Sequence, residues 1–298
     1  MTPELRTEVL NKVVELLDSR YVFAEVAAEV RRHLEARAAA GAYDGLAAAE
    51  FAQLVTDDMQ SISRDKHMRL RPQDPSRFAA APTPENMADF LRRRKQENYG
   101  FVKLERLEAN VGYMDLRGFQ PPEFAGETAV AAMQFLSNAD ALIFDLRQCP
   151  GGSPGMVALL TTYLFEQQIL LNTFYNRAGE VQFQNYTLPH VPGRRMPDVP
   201  VYVLTSSFTF SAAEEFTYNL KSRNRATIVG EKTGGGANPG SIVAVGAGLE
   251  LFVSAGRAVN PITKDNWEGK GIEPDIAVPA DQALEAALAH ARETLAKK

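Results

Sequence analysis

Ser211 is the first residue whose type and position could perform covalent chemistry. It follows an apolar run at residues 201–204 and begins the helical pattern Ser211-Ala212-Ala213-Glu214. This pattern is a capping box, in which the serine hydroxyl accepts a hydrogen bond from the helix and the glutamate accepts one from the serine amide. The same position lies at the positive end of a helix dipole, which also suits a nucleophile with an oxyanion developing beside it. The segment alone favours the cap.

Two glycine-rich segments could bring backbone amides close to a ligand. DLRQCPGGSPG (145–155) leads from an apolar run into Gly151-Gly152, and GEKTGGGANPG (230–240) contains five glycines. Glycine lets the backbone approach a ligand closely and direct N–H groups at it. Taken alone, the first segment is better explained as a tight strand-to-helix turn. The second matches neither the P-loop nor the dinucleotide fingerprint, so phosphate binding is not indicated.

The chain also contains several candidate bases and one unusual aromatic pair. Trp267, the only tryptophan, stands next to Glu268 in NPITKDNWEGKGIEPD. His67 lies in SISRDKHMRLRP, after a helical region, and His190 in a proline-rich loop is the rival base. Lys232 could act as a base if it were buried and desolvated. An exposed glutamate beside an aromatic is more often structural than catalytic, so these residues alone do not define a site.

Composition narrows the class of protein. The 298 residues carry a net charge of −5, and this acidic balance gives no reason to expect nucleic-acid binding. The single cysteine, Cys149, can form neither an internal disulfide nor a cysteine metal site. No apolar run is long enough to span a membrane. The amphipathic N-terminus is not a signal peptide, so we expect a cytoplasmic protein, or a periplasmic or secreted one if a leader has been removed.

The hydrophobic pattern predicts two regions joined by a linker. Helical periodicity at residues 3–18, 22–40 and 47–59 predicts an N-terminal helical bundle, and we place this segment at residues 1–75. The proline- and alanine-rich stretch that follows predicts a linker at 76–100. From residue 101 to 298, short β-rich runs alternate with helical patterns, which predicts an α/β core with a largely parallel sheet.

The order of four motifs adds a resemblance to a known family. DLR…GG, TSSFTFSAAEEF, VGEKTGGGANPG and NWEGKGIEPD together resemble the tail-specific (C-terminal-processing) serine peptidases, within them the interphotoreceptor retinoid-binding-protein-like branch. The resemblance spans nearly the whole chain. It implies an α/β fold with a crotonase/ClpP-like spiral core behind the N-terminal helical bundle. Too few residues separate His67 from the core for the peptide-binding PDZ module of the larger branch, so none is expected.

The resemblance also implies roles for individual residues. Ser211 corresponds to the nucleophile, and the oxyanion-binding amides would come from Ala212 and from the Gly151-Gly152 turn. The processing peptidases use a Ser-Lys dyad, but the position of their lysine is Gly236 here. The tricorn-like and chlamydial secreted proteases of the superfamily use serine with histidine and glutamate. His67 and Glu268 stand at the corresponding places.

We therefore expect a serine-type peptidase that cleaves peptides or unfolded protein and requires no metal or organic cofactor. The alternative is a non-catalytic carrier of retinoids or fatty acids on the same fold, with an apolar ligand; the oligomeric state is left open. In the peptidase, Gly235, Gly236 and Trp267 are expected to line the substrate site with free backbone groups and an apolar surface. In the carrier, Trp267 would face a closed apolar cavity. An ordinary imidazole base predicts activity that rises with pH through about 6.5–7.

Overall fold

The computed structural model describes residues 1–74 and 84–297. The chain forms two compact units. Unit 1 comprises Met1–Phe90, Phe174–Gln182 and Asn238–Ala258, and unit 2 comprises Leu91–Thr173, Phe183–Ala237 and Val259–Lys298. Each unit is thus assembled from segments that are distant in sequence. Of the predicted linker, residues 76–83 lie outside the described part of the chain, and Pro84–Gln96 form a helix.

The helices and strands alternate along most of the chain. The helices are α1 (Pro3–Arg20), α2 (Ala24–Ala39), α3 (Ala48–Ser63), α4 (Pro84–Gln96), α5 (Pro122–Leu136), α6 (Pro154–Thr162), α7 (Ala212–Lys221) and α8 (Ala283–Leu295). The strands are β1 (Leu70–Pro72), β2 (Phe101–Leu107), β3 (Val111–Leu116), β4 (Ala141–Asp145), β5 (Leu170–Tyr175), β6 (Val181–Tyr186), β7 (Val201–Thr205), β8 (Thr227–Gly230), β9 (Gly240–Gly246), β10 (Leu249–Ser254), β11 (Arg257–Val259) and β12 (Ile276–Ala277).

Unit 1 packs helices α1 to α3 and the antiparallel sheet β1-β10-β9 around one hydrophobic core. Helix α1 begins after Thr2, whose side chain accepts a hydrogen bond from the Leu5 amide at 3.3 Å. Val9, Val13, Leu16 and Leu17 of its apolar stripe are buried, as their spacing predicts, whereas Leu5 in the first turn is exposed. Helix α3 ends at Arg64, which adopts a left-handed conformation, and the chain then turns through His67 into β1.

Unit 2 is built on a six-stranded sheet of order β12-β8-β7-β4-β3-β2. All neighbours pair in parallel except β2 and β3, which are antiparallel. Both faces are covered, because successive residues of the central strands enter different cores. Leu142 and Phe144 pack with residues of α5, α6 and α7, whereas Ala141 and Ile143 pack with alanines of α8. Burial on both faces explains why these strands are continuous apolar runs in the sequence.

The sheet of unit 2 positions the two motif loops side by side. Strands β4 and β7 are parallel neighbours, with Asp145 opposite Leu204, so their carboxyl ends meet at one edge. The loop after β4 carries the glycine pair, and the loop after β7 carries the serine. Hydrogen bonds join the loops: Thr209 Oγ1 donates to the Leu146 carbonyl at 2.8 Å, and the Phe210 amide donates to the Cys149 carbonyl at 3.1 Å.

The predicted α/β class with N-terminal helices and a largely parallel sheet is confirmed, and no PDZ module is evident in the described ranges. The sequence did not predict α4, β2, β6, β9, β11 or β12. A further three-stranded sheet has the order β11-β5-β6. None of the helices in the described part of the chain combines the length and the apolar character needed to span a bilayer.

Candidate active site

Ser211 adopts a strained backbone conformation between β7 and α7. Its φ is 53° and its ψ is −121°, a combination that residues with a side chain rarely adopt. The amide of Ser211 donates to Glu214 Oε2 at 3.0 Å, so half of the predicted capping box is present. The other half is absent, because the Ser211 side chain makes no hydrogen bond that caps the helix. Its hydroxyl is therefore available for other chemistry.

The Gly151-Gly152 turn lies directly against the serine. A Cβ atom built on Gly151 would stand 2.7 Å from Ser211 Cβ and 2.8 Å from the Ala212 amide nitrogen. At Gly152 a Cβ would lie 2.2 Å from the Phe119 carbonyl oxygen. Both glycines also have positive φ, 108° and 143°. No other residue type fits this turn, which brings Gly151 next to Ser211 and Ala212.

The glycine-rich loop after β8 is held by the buried carboxylate of Glu214. Oε1 accepts hydrogen bonds from the Thr233 hydroxyl and, at 2.7 Å, from the Gly235 amide. Oε2 accepts one from the Gly236 amide at 2.8 Å, besides that from Ser211. Burial raises the pKa of Glu214 to about 7, and these four uncharged donors oppose the rise.

The expectation that Gly235 and Gly236 leave backbone groups free for substrate is wrong. Their amides are bound by Glu214. The Gly235 carbonyl accepts a hydrogen bond from the Gly269 amide at 3.0 Å, and the Gly236 carbonyl accepts one from Trp267 Nε1 at 2.7 Å. Because donors and acceptors are both used internally, these glycines shape the loop.

Trp267 does not offer an open apolar surface either. It is 2% exposed and packs with Ala237, Ile272 and Tyr218 in a small hydrophobic cluster. The next residue, Glu268, accepts a hydrogen bond from the Ala237 amide at 2.6 Å through Oε2. The tryptophan thus anchors the segment that carries Glu268 to the glycine-rich loop, and its ring is packed among side chains rather than facing an open cavity.

His67 lies in unit 1, in the turn between α3 and β1. Its ring stacks on Phe252 with centroids 5.0 Å apart, and its amide donates to Asp65 Oδ1 at 2.9 Å. Burial, assisted by the positive charge of Arg69, lowers the pKa of His67 to about 4. This pKa lies below the 6.5–7 expected of an ordinary imidazole. The ring is neutral at neutral pH.

The rival bases and the cysteine have unsuitable surroundings. Lys232 is about half exposed and forms an ion pair with Glu273 at 2.7 Å, so it is not desolvated. His190 is exposed in a loop. Cys149 is buried, and burial raises the pKa of its thiol to about 12, which removes the thiolate at neutral pH.

Sequence reasoning identified Glu214 only as half of a capping box and missed its role as the centre of this arrangement. One signal in the sequence was available. Glu214 and Glu215 form a pair of acids between Ala213 and Phe216, on a helix whose apolar residues surround them. Acids at buried positions require several hydrogen bonds, so such a pair indicates a polar network.

A serine held in a strained turn between a parallel strand and a helix, beside a glycine turn, is an arrangement that suits a nucleophilic serine. Comparison with known proteins agrees. The model of peptidase family S41 matches residues 110–278, and that of the N-terminal domain of peptidase S41 in eukaryotic IRBP matches residues 4–101. The chain belongs to peptidase family S41.

Curated relatives carry names from the same family. The chain is 31% identical over 193 residues to a carboxyl-terminal-processing protease of Synechocystis, covering 60% of this chain and 43% of the relative. It is 27% identical over 193 residues to one of Picosynechococcus, covering 65% of this chain and 42% of the relative. The chain thus spans less than half the length of these relatives. Among solved structures, a putative peptidase of Parabacteroides merdae superposes with a TM-score of 0.67 at 20% identity, covering 96% of both chains, which supports the fold.

Proposed function

We propose that the protein is a serine-type peptidase that cleaves peptides or unfolded protein. Ser211 is the nucleophile in this proposal. The observation that carries it is the strained Ser211 conformation, with a hydroxyl that does not cap α7 and Gly151 packed against it. Strain of this kind persists only where the surroundings enforce it, and it is concentrated at functional sites.

In the proposed mechanism His67 is the general base and Glu268 orients its imidazole. His67 takes the proton from Ser211 Oγ as the oxygen attacks the peptide carbonyl carbon, and it returns the proton to the leaving amine. Amides of the Gly151-Gly152 turn and of Ala212 bind the oxyanion. Water then hydrolyses the acyl-enzyme by the same proton transfers. The mechanism requires the imidazole of His67 to reach Ser211. The ring is neutral at neutral pH and can accept a proton, and the Ala237 amide holds the partly buried carboxylate of Glu268.

Labelling with a fluorophosphonate probe tests this assignment. We expect the probe to modify Ser211 in the wild-type chain, located by peptide mass spectrometry, and to leave Ser211→Ala unlabelled. Loss of a general base slows such steps by about 10²–10⁴-fold, so His67→Ala should label at least roughly 100-fold more slowly. Lys232→Ala is the matched control, since Lys232 is exposed and paired, and should label within about twofold of wild type.

Hydrolysis of a dye-labelled unfolded protein, measured with the same variants, connects the labelling to peptidase activity. Cleavage should disappear in Ser211→Ala and His67→Ala and persist in Lys232→Ala. Equal labelling of wild type and Ser211→Ala would refute the nucleophile. Full activity in His67→Ala, together with loss of activity in folded Lys232→Ala, would transfer the role of base to the lysine.

A further inference from the structure

We propose that Glu214 is the positioning residue of the candidate active site: one buried carboxylate fixes the backbone of Ser211 and, through the glycine-rich loop, the segment that carries Glu268. This inference rests on the proposed peptidase function. It assigns no direct contact with substrate to Glu214. The role is to hold two parts of the site in one geometry.

The first step is the backbone of Ser211. With φ at 53° and ψ at −121°, the residue lies outside the conformations that a serine adopts freely, so its neighbours must enforce it. The Ser211 amide is directed at Glu214 Oε2, three residues later in the same helix. This hydrogen bond opposes relaxation of the turn, and it is strongest when the carboxylate is ionised.

The second step is the glycine-rich loop. Glu214 Oε1 accepts hydrogen bonds from the Thr233 hydroxyl and the Gly235 amide. Oε2 accepts one from the Gly236 amide in addition to that from Ser211, so each oxygen accepts two hydrogen bonds. Glycine residues have no side chain that restrains the backbone, so a loop of this composition can adopt many conformations unless other contacts hold it. The single carboxylate therefore sets the course of residues 233–236 relative to Ser211.

The third step leads from the loop to Glu268. Three hydrogen bonds connect the ordered loop to the segment 267–269: Ala237 N–H to Glu268 Oε2, Trp267 Nε1–H to the Gly236 carbonyl, and Gly269 N–H to the Gly235 carbonyl. Each of these bonds involves a loop residue at or next to a glycine that Glu214 binds. Displacement of the loop would consequently displace the Glu268 carboxylate.

Glu215 provides a matched comparison on the same helix. It is also buried, and burial raises its pKa to about 7 as well. Its described donors, the amide groups of Asn172 and Asn185, both bind Oε1, at 3.1 and 3.2 Å. A glutamine can retain both of these bonds with its one carbonyl oxygen. At position 214 both carboxylate oxygens accept hydrogen bonds. A glutamine there would replace one acceptor oxygen by an NH₂ group, which would face two N–H or O–H donors and could not accept from them.

The experiment compares Glu214→Gln, Glu214→Asp and Glu215→Gln with the wild-type chain. Misplacement of catalytic groups by about 1 Å can reduce a rate about 100-fold, and we expect a loss of that order in probe labelling and in kcat for Glu214→Gln. KM should change by no more than a few fold, since peptide contacts are not removed. Glu214→Asp retains two acceptor oxygens and should keep more activity. Glu215→Gln should label as wild type does.

Hydrogen–deuterium exchange of the peptides covering Ser211 and residues 233–237 gives a readout independent of activity. These amides should exchange faster in Glu214→Gln and at the wild-type rate in Glu215→Gln, with thermal unfolding confirming that each variant is folded. Wild-type labelling and exchange in Glu214→Gln would overturn this proposal alone. A wild-type chain that fails to label would overturn the proposed function, while the exchange data would still show whether Glu214 orders the loop.

Discussion

Two serines of unit 2 stand before helices, and the structure uses them differently. Ser153 precedes α6 with an extended backbone, and its side chain accepts a hydrogen bond from the Gly155 amide at 3.2 Å. Ser211 precedes α7 with positive φ and makes no such bond. A cap stabilises its helix, whereas strain at positive φ costs stability. Substitution by alanine should therefore destabilise the protein at Ser153 and have little effect at Ser211.

The expected difference can be measured by urea unfolding, followed through the fluorescence of Trp267. Ser153→Ala should lose about 1 kcal/mol of unfolding free energy because the cap is removed. Ser211→Ala should change it by less than about 0.5 kcal/mol, and Ser211→Gly should be about 1 kcal/mol more stable than Ser211→Ala, since glycine relieves the strain. If Ser211→Ala lost as much as Ser153→Ala, the serine would be a cap.

At the scale of elements, the turn after β4 has a steric requirement that the sequence suggested only as a general property of glycine. Gly151 has positive φ, and the space for its side chain is filled by Ser211 and Ala212. Gly179, in the turn between β5 and β6, also has positive φ, 79°, but a Cβ there would meet nothing within 4 Å. Alanine substitutions at Gly151 and Gly179 therefore separate the free-energy cost of backbone strain from the cost of steric contact with Ser211 and Ala212.

Gly151→Ala and Gly179→Ala should both lose stability, by about 1 kcal/mol from conformational strain. Only Gly151→Ala should lose probe labelling of Ser211, because its methyl group displaces the serine or the Ala212 amide. Thermal unfolding and labelling rates measured on both variants test this. Unchanged labelling in Gly151→Ala would show that the turn does not shape the site.

The elements that the sequence predicted well are those with a strong hydrophobic period. Helix α1 and strand β7 have the expected bounds to within a few residues, because their apolar residues are buried at the spacing that the sequence displays. Strand β6 was missed because its residues are polar or exposed, and β9 because it begins at the last glycine of GEKTGGGANPG. Such strands form because they pair with strands that are distant in the sequence, and the local hydrophobic pattern does not indicate this pairing.

The proximity of Ser211 and the Gly151-Gly152 turn was predictable, since both segments follow parallel strands whose carboxyl ends meet at one sheet edge. The function of the glycine-rich loop could not be predicted from the sequence. Glycine content indicated freedom of the backbone, but whether N–H groups are free depends on Glu214, a residue whose burial only the fold reveals. The same fold lowers the pKa of His67 to about 4, which the sequence cannot show.

At the scale of the whole molecule, unit 2 buries two adjacent acids in its core. The pKa values of Glu214 and Glu215 are both raised to about 7, with burial as the main cause. Between the unfolded value of about 4.5 and the folded value of about 7, the folded state binds more protons than the unfolded state. The unfolding free energy of the unit should therefore fall as pH rises through this window.

Glu215→Gln tests this dependence, because the glutamine keeps the acceptor oxygen for Asn172 and Asn185 but cannot ionise. The contribution of Glu215 between pH 4.5 and pH 7 is roughly 3 kcal/mol if the whole shift is expressed. Urea unfolding at pH 5, 6, 7 and 8 should show a smaller loss of stability with rising pH in the variant than in wild type. Trp267, which lies in unit 2, reports the transition of that unit.

The matched control is Glu127→Gln on α5. Because Glu127 is exposed, this substitution should leave the slope of stability against pH unchanged. A variant with the wild-type slope would show that Glu215 ionises at its ordinary pH in the folded protein, despite complete burial.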